Sequence, residues 1–329
     1  MKCTLTVNER YFVKSIVFLV LFLIHSAVNS APLSTEDIFS QAEKYTLELV
    51  TEIKIPFVED KAGSFKGTGF LIDKERGWVL TNAHVAGRSL SIIRGRFKDT
   101  RYHKLKKVYM DPVIDLAVLQ IDPLNIPTDA LEARLDCESE PRAGHPIGAY
   151  GHPWGLSFNA SRGIVSGITY LQDDEWLQVD APINSGNSGG ALLSLESGLV
   201  VGINSAGFDD ADGLNFALPI RHVCTVIKLL QNNKNPSPPD FGISYFQSNE
   251  KNELKVADVF GNCNLQSGDI IKSISGADIY HKFDFINILR GKEEVKVLVV
   301  RKGKEEEVTL KIKPSLSVVG AKGIYFSGM

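Results

Sequence analysis

The stretch that decides the fold is Asp180 to Ala191, which reads DAPINSGNSGGA and places Ser188 inside a run of glycines. Strand-like segments precede and follow it: LQVD before, and ALLSL and LVVGI after. Because glycine adopts positive φ at little steric cost, Gly186 and Gly189 let the chain turn sharply and project the Ser188 hydroxyl. The same turn can aim the N–H groups of Gly186 and Ser188 at one point, as an oxyanion site requires. Taken alone, the stretch is equally consistent with an ordinary Gly-rich connection between strands.

Two upstream residues favour a catalytic interpretation. His84 follows an apolar run and lies in TNAHV, and Asp115 lies in the apolar run VIDLAVL. Either residue by itself is more often structural. Together with Ser188 they occur in the order His, Asp, Ser, which is the chain order of the chymotrypsin-type double barrel. The sequence therefore predicts that His84, Asp115 and Ser188 are the catalytic residues.

Several motifs around these residues are shared with one protease family. They are GTGF at 67–70, TNAHV at 81–85, DLAVL at 115–119, DAPINSGNSGGAL at 180–192, GLVVGINSAGF at 198–208 and GLNFALPI at 213–220. With these motifs the chain resembles the HtrA/DegP (Deg) family of serine proteases. Ser185 and Ala191 depart from the family pattern, since proline is common at both positions. Neither carries a catalytic atom, so the departures concern the rigidity of the loop and its regulation more than the chemistry.

The resemblance implies acyl transfer to water, without a cofactor or a metal. Ser188 is expected to act as nucleophile, His84 as general base and then acid, and Asp115 as the group that orients the imidazole. The N–H groups of Gly186 and Ser188 are expected to form the oxyanion hole. The expected substrate pocket consists of Ile183, Asn184, Asn204, Ser205, Ala206, Leu214 and Asn215. Since none of these is acidic, we expect cleavage after a small aliphatic side chain such as Val or Ala rather than after Lys or Arg.

The resemblance also implies a mobile loop at the site. In the family, the loop before the serine switches between disordered and ordered forms, and a PDZ domain or a neighbouring subunit biases the switch. Asn184 and Ser185, together with residues 207–212, are the matching segments here. Their glycines and small polar residues fit such a switch.

Composition bounds the class of protein. The chain has 329 residues, 43% hydrophobic and 23% charged, with a formal net charge of −3, which fits a soluble globular protein of about two domains. Its Lys and Arg residues are scattered rather than grouped along one face. We therefore expect no nucleic-acid partner.

The first thirty residues read as a secretory signal peptide. Lys2, Arg10 and Lys14 precede the apolar run 16–24, and small residues follow it up to a cut near Ser30. The apolar run is short for an ordinary membrane-spanning helix. Two alternatives remain, an uncleaved anchor and a buried helix.

The remaining chain divides into a protease domain over 31–232, a Pro-rich linker over 233–239, a second domain over 240–314 and a tail over 315–329. Roughly eleven short strand-like runs alternate with turn residues across the first domain, a spacing typical of two packed antiparallel barrels. The fold class is therefore an all-β chymotrypsin-like double barrel, with a small α+β domain after it. After Pro219, apolar residues at 220, 223, 227 and 230 predict an amphipathic helix that closes the protease. The tail is either the remnant of a further module or a flexible end.

The second domain resembles a PDZ domain. LQSGDIIKSISGADI at 265–279 carries the resemblance, 283–289 reads as the groove helix, and Lys302 and Gly303 mark a hairpin turn. PDZ domains add a bound C-terminal peptide as an extra strand and hold its carboxylate with backbone N–H groups. The loop that matches this role is Phe241, Gly242, Ile243 and Ser244. The alternative is a module that only packs on the protease.

A helix is predicted from Ser34 to Val50, with Ser34 or Thr35 as the N-cap. In the family, aromatic residues of this region hold a homotrimer together, so Phe39 or Tyr45 would serve at a trimer contact. Packing of either side chain on its own barrel is an equal alternative. The connection over 59–66 is short, which is typical of simple trimeric members rather than of those that build large cages.

The cysteines have no framework spacing. Cys137, Cys224 and Cys263 remain after the signal peptide, an odd number without a CxxC motif. A Cys137–Cys224 bridge is compatible with an oxidising compartment, but burial as small apolar side chains is the favoured interpretation. His222 with Cys224, and His145 with His152, lack further ligands nearby, so no metal site is predicted.

The sequence thus predicts an HtrA-like endopeptidase that degrades unfolded or misfolded proteins and binds C-terminal peptides at its PDZ domain, located in the periplasm or secreted. One rival is a membrane-anchored regulatory protease that cuts a single signalling partner. The other is a chaperone or peptide-binding scaffold with minor proteolysis.

Overall fold

The computed structural model describes residues 33–57, 60–111, 113–152, 158–171, 174–207, 214–238, 243–248, 253–261, 263–279 and 282–312. The expected signal peptide, the tail over 315–329, the loop residues 208–212 and two residues of the expected carboxylate-binding loop, Phe241 and Gly242, lie outside these ranges. Within them, no helix has both the length and the apolar character needed to cross a membrane.

The first barrel is preceded by a capped helix. Ser34 and Asp37 form a capping box, in which the Ser34 hydroxyl accepts from the Asp37 N–H and the Asp37 carboxylate accepts from Ser34. The helix was expected to continue to Val50, but it ends at Tyr45 and a strand begins at Thr46. TLELVTEI is rich in β-branched residues, and its backbone pairs with two neighbouring strands, so sheet pairing outweighs the helical pattern. The elements of this part are α1 (Thr35–Tyr45), β1 (Thr46–Ile53), β2 (Gly63–Asp73), β3 (Trp78–Thr81), α2 (Ala83–Ala86), β4 (Ser91–Arg96), β5 (His103–Met110), β6 (Ala117–Gln120) and a 3-10 turn (Pro123–Asn125).

Both barrels are closed. The first has the strand order β1-β2-β3-β6-β5-β4 and the second β10-β11-β12-β9-β8-β7, all pairs antiparallel. The elements of the second barrel are β7 (Pro146–Gly151), β8 (Asn159–Leu171), β9 (Asp174–Val179), β10 (Ala191–Ser194), β11 (Val200–Gly207) and β12 (Asn215–Pro219), followed by α3 (Ile220–Gln231). Closure leaves neither sheet with an open edge. This arrangement is the chymotrypsin-like double barrel that the sequence predicts.

One apolar core runs from inside the first barrel to α3. It includes Phe70, Leu80 and Leu119 from the first barrel and Val200 and Val223 from the second half. A smaller core lies within the second barrel. Helix α1 packs into the same body: Tyr45 is buried, and the ring of Phe39 stacks on Tyr150 at 6.1 Å. Both aromatic residues therefore pack on their own chain, which was one of the two expected alternatives.

Helix α3 is linked covalently to the segment between the barrels. Cys224 on α3 forms a disulfide with Cys137, so the favoured interpretation of two reduced, buried cysteines is wrong. The sequence spacing gave no framework because the two residues are brought together only by barrel packing. Pro219 is the N-cap of α3 rather than its first helical residue. Cys263 is a free, half-buried cysteine.

The third unit is one antiparallel sheet with a helix. Its elements are β13 (Ile243–Ser248), β14 (Glu253–Val259), β15 (Ile270–Ile274), β16 (Ala277–Asp278), α4 (Lys282–Leu289), β17 (Glu294–Arg301) and β18 (Lys304–Lys311). The strand order is β13-β14-β15-β17-β18, with β16 paired to β15. Lys302 and Gly303 both have positive φ, as a two-residue hairpin turn requires, and they join β17 to β18 at the expected place. The sheet and α4 enclose an apolar core of their own.

Candidate active site

His84 sits on a single helical turn at the edge of the first barrel. The N-cap of α2 is Asn82, and its C-cap is Gly87. Gly87 has a positive φ of 74°, so the chain leaves the helical turn there. The Asn82 amide donates to the Asp115 carbonyl at 2.9 Å, which ties the start of α2 to the segment before β6. The His84 side chain is about 50% exposed.

Asp115 accepts two hydrogen bonds from His84. The His84 N–H lies 3.0 Å from Oδ1, and the ring Nδ1 lies 2.6 Å from Oδ2. An ionised carboxylate can only accept, so the proton of this contact belongs to Nδ1 and Nε2 is left as the basic nitrogen. Desolvation of the half-exposed ring disfavours the charged form of His84, but the hydrogen bond and charge of Asp115 outweigh it and hold the pKa of His84 above its usual value. Burial likewise opposes ionisation of Asp115, and its hydrogen bond to His84 overcomes this and lowers the pKa of the carboxyl.

Ser188 lies on the glycine turn between β9 and β10. Gly186 has φ +105° and Gly189 has φ +85°, and the Asn187 N–H donates to the Asn184 carbonyl at 2.9 Å. A Cβ on Gly189 would lie 2.1 Å from both the Thr68 carbonyl oxygen and Thr81 Oγ1. The turn is thus pressed against the first barrel, and the Thr68 N–H donates to the Ser188 carbonyl at 2.9 Å. Glycine at 189 is required by conformation and by space together.

The Ser188 hydroxyl donates to the carbonyl of Ser205 on β11. In the described part of the chain it makes no hydrogen bond to His84. The Ser205 hydroxyl in turn donates to Asp115 Oδ2 at 3.2 Å, next to the His84 contact. Asp115 and His84 are therefore in direct contact, and Ser188 is joined to them through Ser205. Catalytic hydrogen bonds are often completed only when substrate is bound, so this geometry is compatible with a resting site.

The backbone around Gly186 is held from behind by Thr68. Thr68 Oγ1 donates to the Gly186 carbonyl at 2.7 Å and lies 3.1 Å from Nδ1 of His152. The hydroxyl has a single hydrogen, so His152 donates through Nδ1 and carries its lone pair on Nε2. The N–H groups of Gly186 and Ser188 donate to no described residue. They are the donors expected of an oxyanion hole.

The expected pocket residues divide into two groups. Ile183 belongs to the core of the second barrel, and the Asn204 amide is fully buried and donates to the Ala191 carbonyl at 3.2 Å. These two act as supports. Asn184 is exposed, Leu214 is half-buried, and Ser205, Ala206 and Asn215 lie on β11 and β12 beside the serine turn.

Sequence reasoning missed four residues that organise the site: Asn82, Thr68, Thr81 and His152. Thr68 lies within GTGF and Asn82 within TNAHV, so the motifs pointed to their segments. Their roles depend on contacts between residues far apart in sequence, which the motifs alone do not reveal. His152 was considered only as a metal ligand. Among the described residues, no cluster of three or more His, Cys, Asp or Glu residues is arranged to hold a metal.

The chain is similar in sequence to known serine proteases. Residues 67–203 match the model of the trypsin-like peptidase domain. A protein of Marinomonas sp. (strain MWYL1), named probable periplasmic serine endoprotease DegP-like, is 32% identical over 280 residues, which cover 76% of this chain and 57% of that protein. The chain thus spans little more than half the length of the curated relatives it matches.

Solved structures are similar over most of the chain. The HtrA-type protease AlgW with a tripeptide has a TM-score of 0.68 at 24% identity, covering 86% of this chain and 99% of that one. The serine endoprotease from Yersinia pestis has a TM-score of 0.62 at 26% identity, with coverage of 86% and 99%. By sequence and by fold, the chain therefore carries a trypsin-like peptidase domain and is similar to the HtrA/DegP serine proteases.

Proposed function

We propose that this chain is a serine endopeptidase that degrades unfolded or misfolded proteins. The observation that carries the proposal is the His84–Asp115 contact, with Nδ1 2.6 Å from Oδ2, beside a glycine turn that presents Ser188. The Asp115 contact leaves Nε2 of His84 basic and directed away from the carboxylate. This is the nitrogen that a serine nucleophile needs.

The reaction is acyl transfer to water. Ser188 Oγ, once turned from the Ser205 carbonyl, attacks the scissile carbonyl while His84 Nε2 takes its proton. The same proton then goes to the leaving amine as the peptide bond breaks, and water repeats the sequence on the acyl-enzyme. The N–H groups of Gly186 and Ser188 stabilise the oxyanion, each contributing on the order of 3 kcal/mol to the transition state. Asp115 holds the imidazole in the Nδ1–H tautomer throughout.

Specificity follows from the residues beside the turn. None of the residues named for the pocket is acidic: Asn184, Ser205, Ala206, Leu214 and Asn215, with Ile183 and Asn204 as supports. We therefore expect cleavage after Val or Ala.

The third unit, within residues 240–314, is proposed to be a PDZ domain. Among the described residues β13 pairs on one side only, with β14, so its other edge is open to an added strand. Tyr245 on β13 contacts the ring of Phe285 on α4 at 5.2 Å, so the strand and the helix lie side by side, as the two sides of a peptide groove would. Ile243 and Ser244 are the first two residues of this strand, and the Ser244 hydroxyl accepts from the Asp258 N–H at 3.1 Å. A C-terminal peptide is the proposed ligand, with its carboxylate at the 241–244 loop.

Regulation, assembly and location complete the proposal. Peptide at the PDZ domain, or a neighbouring subunit of a homotrimer, would order the loops around Asn184 and Ser185 and residues 207–212. The periplasm is the proposed location, since relatives such as the Marinomonas protein are named periplasmic and the Cys137–Cys224 disulfide needs an oxidising compartment. N-terminal sequencing tests cleavage after the segment 1–30, and sedimentation mass tests the trimer, which one or six subunits would contradict.

The deciding experiment is hydrolysis of unfolded casein by residues 31–329 beside the variant Ser188→Ala. We expect serine-dependent cleavage, with fragments ending in Val or Ala by mass spectrometry. Cleavage chiefly after Arg would contradict the specificity. If both proteins fail to cut casein yet suppress its aggregation, the protein is a chaperone and the proposal is wrong.

The coupling is tested separately. Activity on a short unstructured peptide is compared between residues 31–329 and residues 31–239, with and without added C-terminal peptides. A change with either treatment is expected. Identical rates in all four conditions would contradict regulation by the third unit.

A further inference from the structure

A buried ion pair connects the third unit to the segment that carries Asp115. Arg290 follows α4, and Asp111 follows β5 of the first barrel. Nη1 of Arg290 lies 2.7 Å from Oδ2 of Asp111, and both side chains are 0% exposed. Asp111 stands four positions before Asp115, so the pair lies close to the catalytic candidate in the chain.

Arg290 is held rigidly on its own side of the contact. Nη1 also donates to the Pro236 carbonyl of the linker at 2.7 Å, and Nε donates to Asn287 Oδ1 at 2.9 Å. The next residue, Gly291, packs so closely that a Cβ there would lie 2.5 Å from a methyl of Leu229 on α3. The guanidinium is therefore fixed where the linker, α3 and α4 meet.

Asp111 organises the turn on which Asp115 stands. Its Oδ1 accepts from the N–H groups of Val113 and Ile114 at 2.9 and 3.0 Å, and its Oδ2 accepts from the Tyr109 hydroxyl at 2.7 Å. Its own N–H donates to the Leu116 carbonyl at 2.9 Å, which closes the turn. We call residues 111 and 113–116 the aspartate turn. The Asp111 carboxylate is thus hydrogen-bonded on both oxygens, and the turn depends on its position.

A second contact joins the same turn to the third unit. Val113 packs against the apolar core of the first barrel and also against the core beneath α4. The two contacts are chemically different, one ionic and one apolar. Both place the third unit against the aspartate turn.

The ion pair is poorly explained by stability alone. Removing two charges from water costs about as much as their attraction returns, so a buried pair contributes little net free energy, whereas loss of one partner strongly disturbs its surroundings. Among the described residues, Arg290 Nη2 is buried without a hydrogen-bond partner, which adds to the cost. A buried ion pair of this kind is better suited to fixing the relative positions of the segments that it joins.

We propose that Arg290 is a positioning residue for Asp115. Through its pair with Asp111 it holds the aspartate turn, and the turn places the carboxylate that orients His84. The inference rests on the proposed function and deepens it. It gives the third unit a route to the catalytic residues that runs through the aspartate, separate from the loops around the serine.

The test compares Arg290→Met and Arg290→Lys with the parent chain, residues 31–329. On a peptide with Val at the cleavage position, Arg290→Met should lower kcat about 10-fold with little change in KM, since small displacements of catalytic groups are costly. The acid limb of the kcat/KM profile should move to lower pH, because a displaced Asp115 no longer holds the pKa of His84 so high. Arg88, the other charge that acts on His84, is unchanged in these variants. Arg290→Lys keeps the positive charge but lacks the several N–H donors of the guanidinium. Its kcat and its acid limb should therefore lie between those of the parent and Arg290→Met.

A measurement independent of catalysis separates this inference from the proposed function. The His84 ring is titrated by NMR in each variant, in a Ser188→Ala background. If the parent fails to hydrolyse any substrate, the proposed function is wrong, and the NMR titration still decides the positioning role. A lowered His84 pKa in Arg290→Met or Arg290→Lys supports the role. An unchanged titration in a folded variant overturns it.

The matched control is Arg301→Met. Arg301 pairs with Asp269 at 2.8 Å inside the third unit and does not touch the aspartate turn. The Arg301→Met variant should lower the stability of the third unit. It should leave the acid limb of the kcat/KM profile and the titration of His84 unchanged. An equal shift in this control would mean that general loosening, not the Arg290 contact, moves His84, and would overturn the proposal.

Discussion

At the scale of single residues, His152 shows how a buried side chain supports the candidate site. The ring is fully buried at the end of β7, packs edge-on against Phe158 at 4.4 Å and donates to Thr68, which in turn holds the Gly186 carbonyl. Burial lowers the pKa of His152 to about 4. The neutral ring is therefore part of the native structure, and protonation would place a charge behind the serine turn.

This predicts a stability loss in mild acid. Between pH 6.5 and about 4 the unfolded chain takes up a proton that folded His152 does not, so the free energy of unfolding falls as pH falls. The full effect is about 3 kcal/mol. Urea unfolding of the parent and His152→Asn at several pH values measures it, and the variant should show the shallower dependence. His222, whose pKa is also lowered by burial, is retained in both proteins. Parallel curves would contradict the prediction.

Gly189 provides a second test at the scale of single residues, because another glycine of the chain serves as its matched control. Gly189 and Gly268 both have positive φ, but a Cβ on Gly189 meets Thr68 and Thr81 at 2.1 Å, whereas a Cβ on Gly268 has nothing within 4 Å. Gly268→Ala should cost only backbone strain, about 1–2 kcal/mol. Gly189→Ala should cost more and abolish casein hydrolysis. Thermal unfolding with the casein assay checks both, and equal losses would show that space at Gly189 is not limiting.

At the scale of elements, α3 is held to the barrels by packing and by a covalent bond. Its buried residues Val223, Val226 and Ile227 face the main core, and Cys224 joins Cys137 across 87 positions of sequence. A cross-link of this span restricts the unfolded chain strongly. Helix α3 also leads directly into the linker, so its position affects the third unit.

Removal of the disulfide should therefore destabilise the protein. We expect reduction, or the double variant Cys137→Ala/Cys224→Ala, to lower the free energy of unfolding by about 2–4 kcal/mol. Urea unfolding with and without dithiothreitol measures this. The parent should respond to the reductant, the double variant should not, and Cys263→Ala should behave as the parent. A response of equal size in the double variant would show that the reductant acts elsewhere.

At the scale of the whole molecule, polar contacts join the third unit to the protease. Besides the Arg290–Asp111 pair, the Asn287 amide lies 2.8 Å from Nδ1 of His222, and His222 Nε2 lies 3.3 Å from the buried carboxylate of Glu175. Arg221 also pairs with Glu175. The end of α4 thus contacts α3 and the aspartate turn, and α4 also lies against β9.

These contacts predict one cooperative unfolding transition for residues 31–329. Arg290→Met leaves Asp111 buried without its counter-charge, a change that typically costs 3–5 kcal/mol, and it should divide the transition into two. Differential scanning calorimetry measures this. Arg301→Met leaves the interface between the third unit and the barrels intact. Any transition that moves to lower temperature in this variant should account only for the unfolding enthalpy of the third unit. A single unshifted transition in Arg290→Met would contradict the prediction.

Sequence alone determined the class of fold and the segments that form the candidate site. Alternating apolar runs specify strands, and glycines at 186 and 189 specify the turn, because these features depend on neighbours in the chain. The order His84, Asp115, Ser188 pointed to the candidate residues because it matches the chymotrypsin-type order. Only the tertiary structure decided the end of α1 at Tyr45, the Cys137–Cys224 bond, the Thr68–Gly186 contact, the Ser188 bond to the Ser205 carbonyl and the Arg290–Asp111 pair. Each of these depends on pairing or packing between distant segments. A single sequence carries no local signal for such contacts, since they exist only once both barrels and the third sheet have closed around them.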